Sequence, residues 1–368
     1  MQKKILAMAV AGAFAAAPAL ASADDAVTLY GQVKYDVGAV DGASAADGGS
    51  TNRDMVHSGV GTRIGVRGSE DLGGGITGLF RIQGNLAGQG NLFNDPNTGA
   101  FDFNEEVWVG IDGNFGQVRL GQSDSAMKNA MKPFRAFTDT LADNATRPGR
   151  VAVGAGQTTA SWTRQDGIHY QSPDFAGFTF GATLNPTGAE TDAYYSLNAI
   201  YEMGPMQFSG AYERASSPNQ DYDDDGDDLA GSFADVDSWH AGFSFDFGQG
   251  DVGVKYHQWD GGSNAASPLL NDNKLEQVLV PANFRVTDQI NLRAAVQYNT
   301  IDDGNVTVGT TSESSWTNVA FGAQYHFSNR TEAFVNIWND GHIGTTATTT
   351  GLNSDDGTHV GVGLRHSF

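Results

Sequence analysis

From residue 27 onward the chain alternates between apolar and polar positions. In His359–Phe368, Val360, Val362, Leu364 and Phe368 share one parity, broken only by His366, while Gly361, Gly363, Arg365 and Ser367 share the other. Successive side chains of a strand point to opposite faces, so one face of this segment is apolar and the other tolerates charge. The period recurs: sixteen such segments lie between Val27 and Phe368. Each has roughly 9–14 residues, the length a tilted strand needs to cross a bilayer.

The connections sort into two classes. Short ones with Gly/Asn/Asp turn chemistry fall at Asp71–Gly75, Asp112–Gly116, Asp174–Gly177, Met203–Pro205, Gly248–Gly250, Thr287–Asp288 and Ser328–Arg330. Long ones fall at Ala39–Met55, Gln89–Ala100, Ser123–Ala160, Asn185–Thr191, Ala215–Ala234, Gly262–Asp272, Asp303–Glu313 and Gly341–Asp356. Their strict alternation predicts an all-β protein: a 16-stranded antiparallel transmembrane β-barrel with short periplasmic turns and long extracellular loops. Soluble sandwiches have many strands and turns but do not usually sort connection length by parity. Phe115, Phe175, Phe178, Tyr201, Phe245, Phe247, Phe327 and Phe368 sit beside the short turns, where an interfacial girdle belongs.

Parity also assigns the lumen. Ile64 and Val66 facing lipid turn Arg63 and Arg67 inward; the opposite register would cost about 2–4 kcal/mol for each arginine near the midplane. The same test turns Lys34, Asp36, Arg81, Glu106, Trp108 and Arg119 inward, and later Lys255, Arg285, Arg293 and Arg365. Lys34, Arg63, Arg67, Arg81 and Arg119 therefore form a basic inner wall on the early strands.

Composition adds limits. The basic Lys3-Lys4, an apolar run from Ile5 to Leu20 and Ala21-Ser22-Ala23 predict a signal peptide over 1–23, leaving 24–368 as the barrel. Beyond it no apolar run is long enough for a membrane helix. The chain has no cysteine, which excludes zinc-thiolate and cysteine-nucleophile chemistry. Its formal net charge of −22 argues against nucleic acid as a partner. No G-x-S-x-G, P-loop, G-x-G-x-x-G or H-E-x-x-H motif marks an enzyme.

Val27-Thr-Leu-Tyr-Gly31, then Thr62-Arg-Ile-Gly-Val-Arg-Gly-Ser-Glu-Asp-Leu-Gly-Gly-Gly75, resemble the opening strands of the general, non-specific porins of Gram-negative bacteria. Val109–Gln122 and Ile168–Phe178 are similar to later blocks of that family, and the aromatic last residue, Phe368, to the terminal strand that the outer-membrane barrel assembly machinery reads. The resemblance implies a homotrimer in the bacterial outer membrane that passes small hydrophilic solutes by diffusion. Where porins of this kind often carry an arginine before the Val-Gly-Leu block, this chain has Glu105-Glu106.

The resemblance also implies that the third long loop, 123–160, folds into the barrel as a constriction. That loop far exceeds the ~12–15 residues of ordinary connections. Met127, Met131, Phe134, Phe137 and Leu141 suit packing on the wall, and Asp124, Asp139 and Asp143 offer carboxylates against the basic wall, predicting a transverse field. Lys128, Lys132, Arg135, Arg147 and Arg150 outnumber those acids and lean the expectation toward anions or weak selectivity.

In the fifth long loop, Asp221, Asp223, Asp225 and Asp227 follow the D-x-D-x-D-G spacing of a calcium loop, but Ser232 stands where the bidentate Glu belongs. The alternatives there are a weak Ca²⁺ site and a solvated acidic loop bridged through divalent cations to lipopolysaccharide. No other cofactor is expected. The function expected is a water-filled channel for ions and small hydrophilic solutes, with outer-membrane lipid and lipopolysaccharide as neighbours. A substrate-selective channel for anionic or organic solutes is the alternative, and a structural or adhesive barrel comes after it.

Overall fold

The computed structural model describes residues 26–40, 54–86, 101–152, 158–161, 163–186, 194–215, 236–261, 274–302, 315–339 and 358–368. The signal-peptide segment 1–23 and the calcium-loop candidates Asp221, Asp223, Asp225 and Asp227 lie outside these residues.

The strands are β1 (Ala26–Val40), β2 (Asp54–Ser58), β3 (Arg63–Gly73), β4 (Ile76–Leu86), β5 (Phe101–Gly113), β6 (Gly116–Asp124), β7 (Arg150–Ala152), β8 (Thr158–Ala160), β9 (Arg164–Gln171), β10 (Phe178–Asn185), β11 (Tyr194–Met203), β12 (Met206–Ala215), β13 (Val236–Asp246), β14 (Gly250–Gly261), β15 (Lys274–Arg285), β16 (Ile290–Asp302), β17 (Ser315–His326), β18 (Thr331–Asn339) and β19 (Thr358–Ser367). All pairings are antiparallel; β6 pairs with β9 across the third long loop, and β19 pairs back onto β1 from Gln32↔Ser367 to Ala39↔Val360. Phe368 completes the seam: its N–H donates to the Gly31 carbonyl at 3.0 Å and its own carbonyl accepts from Gly31 N at 3.2 Å. The sheet is thereby closed and has no free edge.

β2 and β3 are two parts of one barrel strand. β1 pairs with β2 over Asp36–Val40 and with β3 over Ala26–Gln32, and the break between them spans 59–62. At the break the Thr62 hydroxyl replaces the ladder, accepting from Lys34 N at 3.0 Å and donating to Lys34 O at 2.7 Å. β7 and β8 form a separate small hairpin within the third long loop. The barrel thus has sixteen strands, and each of the seven predicted short turns joins a pair of them.

Burial is inverted relative to a soluble protein. Val27, Leu29, Val109, Leu120, Phe321, Ile337 and Leu364 stand exposed on the outer surface, as do all eight aromatics expected beside the turns. Buried inside are Gln32, Gln277, Gln297, Asn299, Asn318 and Asn336. Such an exterior is stable in lipid, where burial of apolar side chains and full backbone pairing meet together. The interior also holds a hydrophobic core. Phe134, Ala136, Phe137, Ala142 and Ala145 of the third loop pack on Leu279, Ala295, Ala320 and Trp338 of the inner wall, and Met127, Ala130 and Met131 pack on Ala211. That core exists because the loop lies inside the barrel.

Candidate functional site: an eyelet between the infolded loop and the arginine wall

The loop leaves β6 at Ser125, whose side chain accepts from Lys128 N and caps the helix Ala126–Met131. Lys132–Phe134 continues as a 3-10 turn with Pro133, and Asp143–Thr146 forms a second short helix. Wall side chains collect the polar backbone groups that this fold leaves over. Ala126 N donates to Thr183 and Ser196 hydroxyls at 3.0 and 3.1 Å, and Asn198 donates to Ala126 O at 2.7 Å. Arg293 donates to Ala136 O at 3.2 Å, Arg365 to Thr138 O at 2.6 Å and Asn318 to Ala145 O at 2.7 Å. Asp36 accepts from Leu141 N at 2.8 Å and Gln277 from Gly149 N at 3.0 Å. The anchors come from β1, β10, β11, β15, β16, β17 and β19, so the loop is fastened to much of the wall.

Two glycines make room for it. A Cβ on Gly242 would fall 2.3 Å from the Phe134 ring, and one on Gly253 would fall 3.0 Å from it. The wall is hollow where this loop phenylalanine seats.

Between the loop and the stretches of β1, β3, β4, β5, β6 and β9 that hold Tyr30–Gln32, Arg63, Arg67, Arg81, Gln83, Glu106, Asp124 and Arg164 lies a cavity of about 510 Å³. Arg67 and Arg81 stand directly opposite each other in the β3–β4 register. The Tyr30 ring lies beneath both guanidiniums, 5.2 and 5.3 Å from its centroid. Arg81 Nε donates to the Tyr30 hydroxyl at 2.6 Å, which in turn donates to Gln83 at 2.8 Å. Glu106 relieves the like-charge contact by pairing with Arg81 at 2.8 Å and accepting from Trp108 Nε1 at 3.2 Å.

The loop carboxylates are taken up in ion pairs rather than left facing open water, Asp139 directly against Arg63 of the basic wall. Asp124 holds Lys128 at 3.2 Å, Lys132 at 2.6 Å and Arg164 at 3.2 Å. Asp139 bridges Arg135 at 3.1 Å and Arg63 at 3.3 Å and accepts from Gln32 at 3.1 Å. Asp143 is buried between Arg135 and Arg147, so its expected place on the pore is corrected: it is the internal tie of the loop. Paired with several donors inside a low-dielectric interior, a carboxylate is satisfied there rather than in the lumen.

Lys34 needs the same correction. Its inward direction agrees with parity, but it is 0% exposed, paired with Asp36, and lies beneath the loop rather than on open water. Arg119 is inside the barrel but outside the cavity lining; it lies over the Trp108 ring at 5.4 Å and donates to Ser123 at 2.8 Å. Arg63, Arg67, Arg81, Glu106 and Asp124 do line the cavity.

Gln83, which parity turns inward with Arg81, lines the cavity too, as do Tyr30, Lys128, Lys132 and Arg135. Gln32 and Arg164 also line it and were not expected there; Gln32 shares parity with Lys34, so alternation could have found it. Arg164 could not be found that way, since it lies where the loop rejoins the wall. Glu105, flagged only as a departure from the family pattern, pairs with Arg164 at 3.4 Å and Arg63 at 3.8 Å and accepts from Gln83. Among the described residues no cluster of His, Cys, Asp and Glu suits a metal ion.

The sequence matches the family model described as Gram-negative porin over residues 7–341. The major outer membrane protein P.IB of Neisseria gonorrhoeae is 27% identical over 386 residues, covering 100% of both chains. An anion-selective porin from Comamonas acidovorans is 21% identical with a TM-score of 0.68, covering 94% of this chain and 100% of that one. The trimer form of OmpT, an outer membrane protein of Vibrio cholerae, is 14% identical with a TM-score of 0.62, covering 94% and 99%. With a closed sixteen-stranded barrel, an apolar exterior and a polar eyelet, the chain belongs to the Gram-negative porin family and is an outer-membrane channel through which solutes diffuse passively.

Proposed function

We propose that the eyelet favours anions, acting as a general pore for small hydrophilic solutes and not as a catalyst. The observation that carries this reading is the sign of the lining. Among the described residues, seven basic ones but only two acidic ones, Glu106 and Asp124, surround the cavity, and Asp124 is shared among three cations. Fixed charge at a constriction with low-dielectric walls raises the local concentration of the opposite ion and sets selectivity. A cavity of about 510 Å³ beside the loop favours an open pore over a plugged adhesive barrel.

In this reading the short turns face the periplasm and the long loops the exterior, with lipid and lipopolysaccharide around the barrel. Homotrimeric assembly is supported by the trimer form of the similar Vibrio cholerae protein. Recognition of Phe368 by the assembly machinery is supported by its exposed ring at the barrel seam. The test is conductance of purified protein in a planar bilayer under a tenfold KCl gradient. Large stepwise currents reversing on the chloride side are expected; reversal on the potassium side would refute the anion preference, and absent conductance the open pore.

A further inference from the structure

Resting on the anion-favouring reading, we propose that Arg67 is the residue that sets anion preference. The other basic residues of the lining serve first as counter-ions to carboxylates of the loop and of the wall.

Six of the seven basic residues at the cavity have a carboxylate oxygen within ion-pair distance. Arg63 has Asp139 at 3.3 Å, Arg81 has Glu106 at 2.8 Å, Lys128 and Lys132 have Asp124 at 3.2 and 2.6 Å, Arg135 has Asp139 at 3.1 Å, and Arg164 has Asp124 at 3.2 Å. Arg67 has none among the described residues; the contact it makes is with the face of the Tyr30 ring, 5.2 Å away. A ring face holds a guanidinium through its quadrupole and leaves the N–H donors at the edges uncommitted.

This difference matters to a permeating anion. In a narrow site an ion sheds part of its hydration and needs donors to replace it. A cation already bonded to a carboxylate offers fewer donors, and the adjacent negative oxygen offsets its attraction. Lys132 is the nearest rival, with a side chain 48% exposed, but its amine is held by Asp124 and by Asn129 at 2.7 Å. Arg81 shares Tyr30 with Arg67, yet Glu106 stands on the Arg81 side of that pair. The uncompensated charge therefore falls on Arg67.

The experiment compares reversal potentials in a tenfold KCl gradient for wild type, Arg67→Gln, Arg67→Lys and the charge-neutral double variant Arg81→Gln/Glu106→Gln. Arg67→Gln is expected to lower the chloride-to-potassium permeability ratio by about twofold or more, and the double variant, which removes a pair whose charges cancel, to lower it less. Arg67→Lys, which keeps the charge, keeps the preference and separates loss of charge from faulty assembly. An unchanged ratio in Arg67→Gln, a larger loss in the double variant, or equal loss in the Gln and Lys variants would overturn the assignment while leaving the anion reading intact. A wild-type reversal on the potassium side would remove that reading and the assignment with it.

Discussion

Asp139, near the middle of the infolded loop, stands against Gly61 in the break of the second barrel strand: a Cβ on Gly61 would fall 2.5 Å from the Asp139 Cβ. Both residues have left-handed backbones, with φ of +83° at Gly61 and 57° at Asp139. Gln32 joins them, donating to Gly61 O at 2.6 Å and to Asp139 at 3.1 Å. The strand break is thus the socket for the loop tip.

Gly61→Ala adds a backbone penalty of roughly 1–2 kcal/mol and a clash that pushes Asp139 out. The barrel is expected to form, because the break lies outside the β3 ladder. Single-channel current should become noisier and its mean conductance should rise. Recordings in planar bilayers check this, and quiet wild-type steps would count against a latch.

Phe134 fastens the loop at the other side. Removing a buried Phe side chain costs about 3–5 kcal/mol in an ordinary core, and here that loss falls on loop docking rather than on strand pairing. Phe134→Ala is expected to expose the loop to protease added to bilayer-embedded protein while resistance of the barrel to denaturant persists. Cleavage mapped by mass spectrometry checks the first part, and denaturant titration the second.

Asp124 neutralises three cations at once. Asp124→Asn keeps the shape and removes the charge, leaving Lys128, Lys132 and Arg164 undercompensated. The chloride preference is expected to increase, read as a larger reversal potential. A fall instead would mean that the loop had moved, which crosslinking or protease sensitivity would reveal.

The two faces of the strands predict opposite tolerance of charge. Val109 is 59% exposed on the outer face. Val109→Arg should destabilise the barrel by about 2–4 kcal/mol if it lies near the midplane, whereas Gln117→Arg on the inner face should be tolerated. Equilibrium unfolding in lipid vesicles measures both.

Much of this was legible in the sequence because alternation is a local signal. Strand count, the seven turns, the aromatic band and the inward direction of Arg63, Arg67 and Arg81 all follow from period and turn chemistry. The fate of a charge is not local. Lys34 and Asp143 became buried because the loop folds over one and around the other, and no periodicity encodes that. The loop's seat left a faint trace: Val278-Leu279-Val280 and Ala294-Ala295-Val296 are apolar on both parities, where a purely water-facing inner wall would alternate. Arg164 carries no such signal, since it lies where the loop rejoins the wall.

The most direct test of an infolded, pore-narrowing loop uses the absence of cysteine from the chain. Lys132→Cys places a single thiol on the lumenal side of the loop, and a negatively charged methanethiosulfonate reagent is added during single-channel recording. A stepwise fall in conductance is expected, together with a shift of the reversal potential toward potassium. Complete labelling by mass spectrometry with unchanged current would contradict it, placing the loop outside the path of the ions.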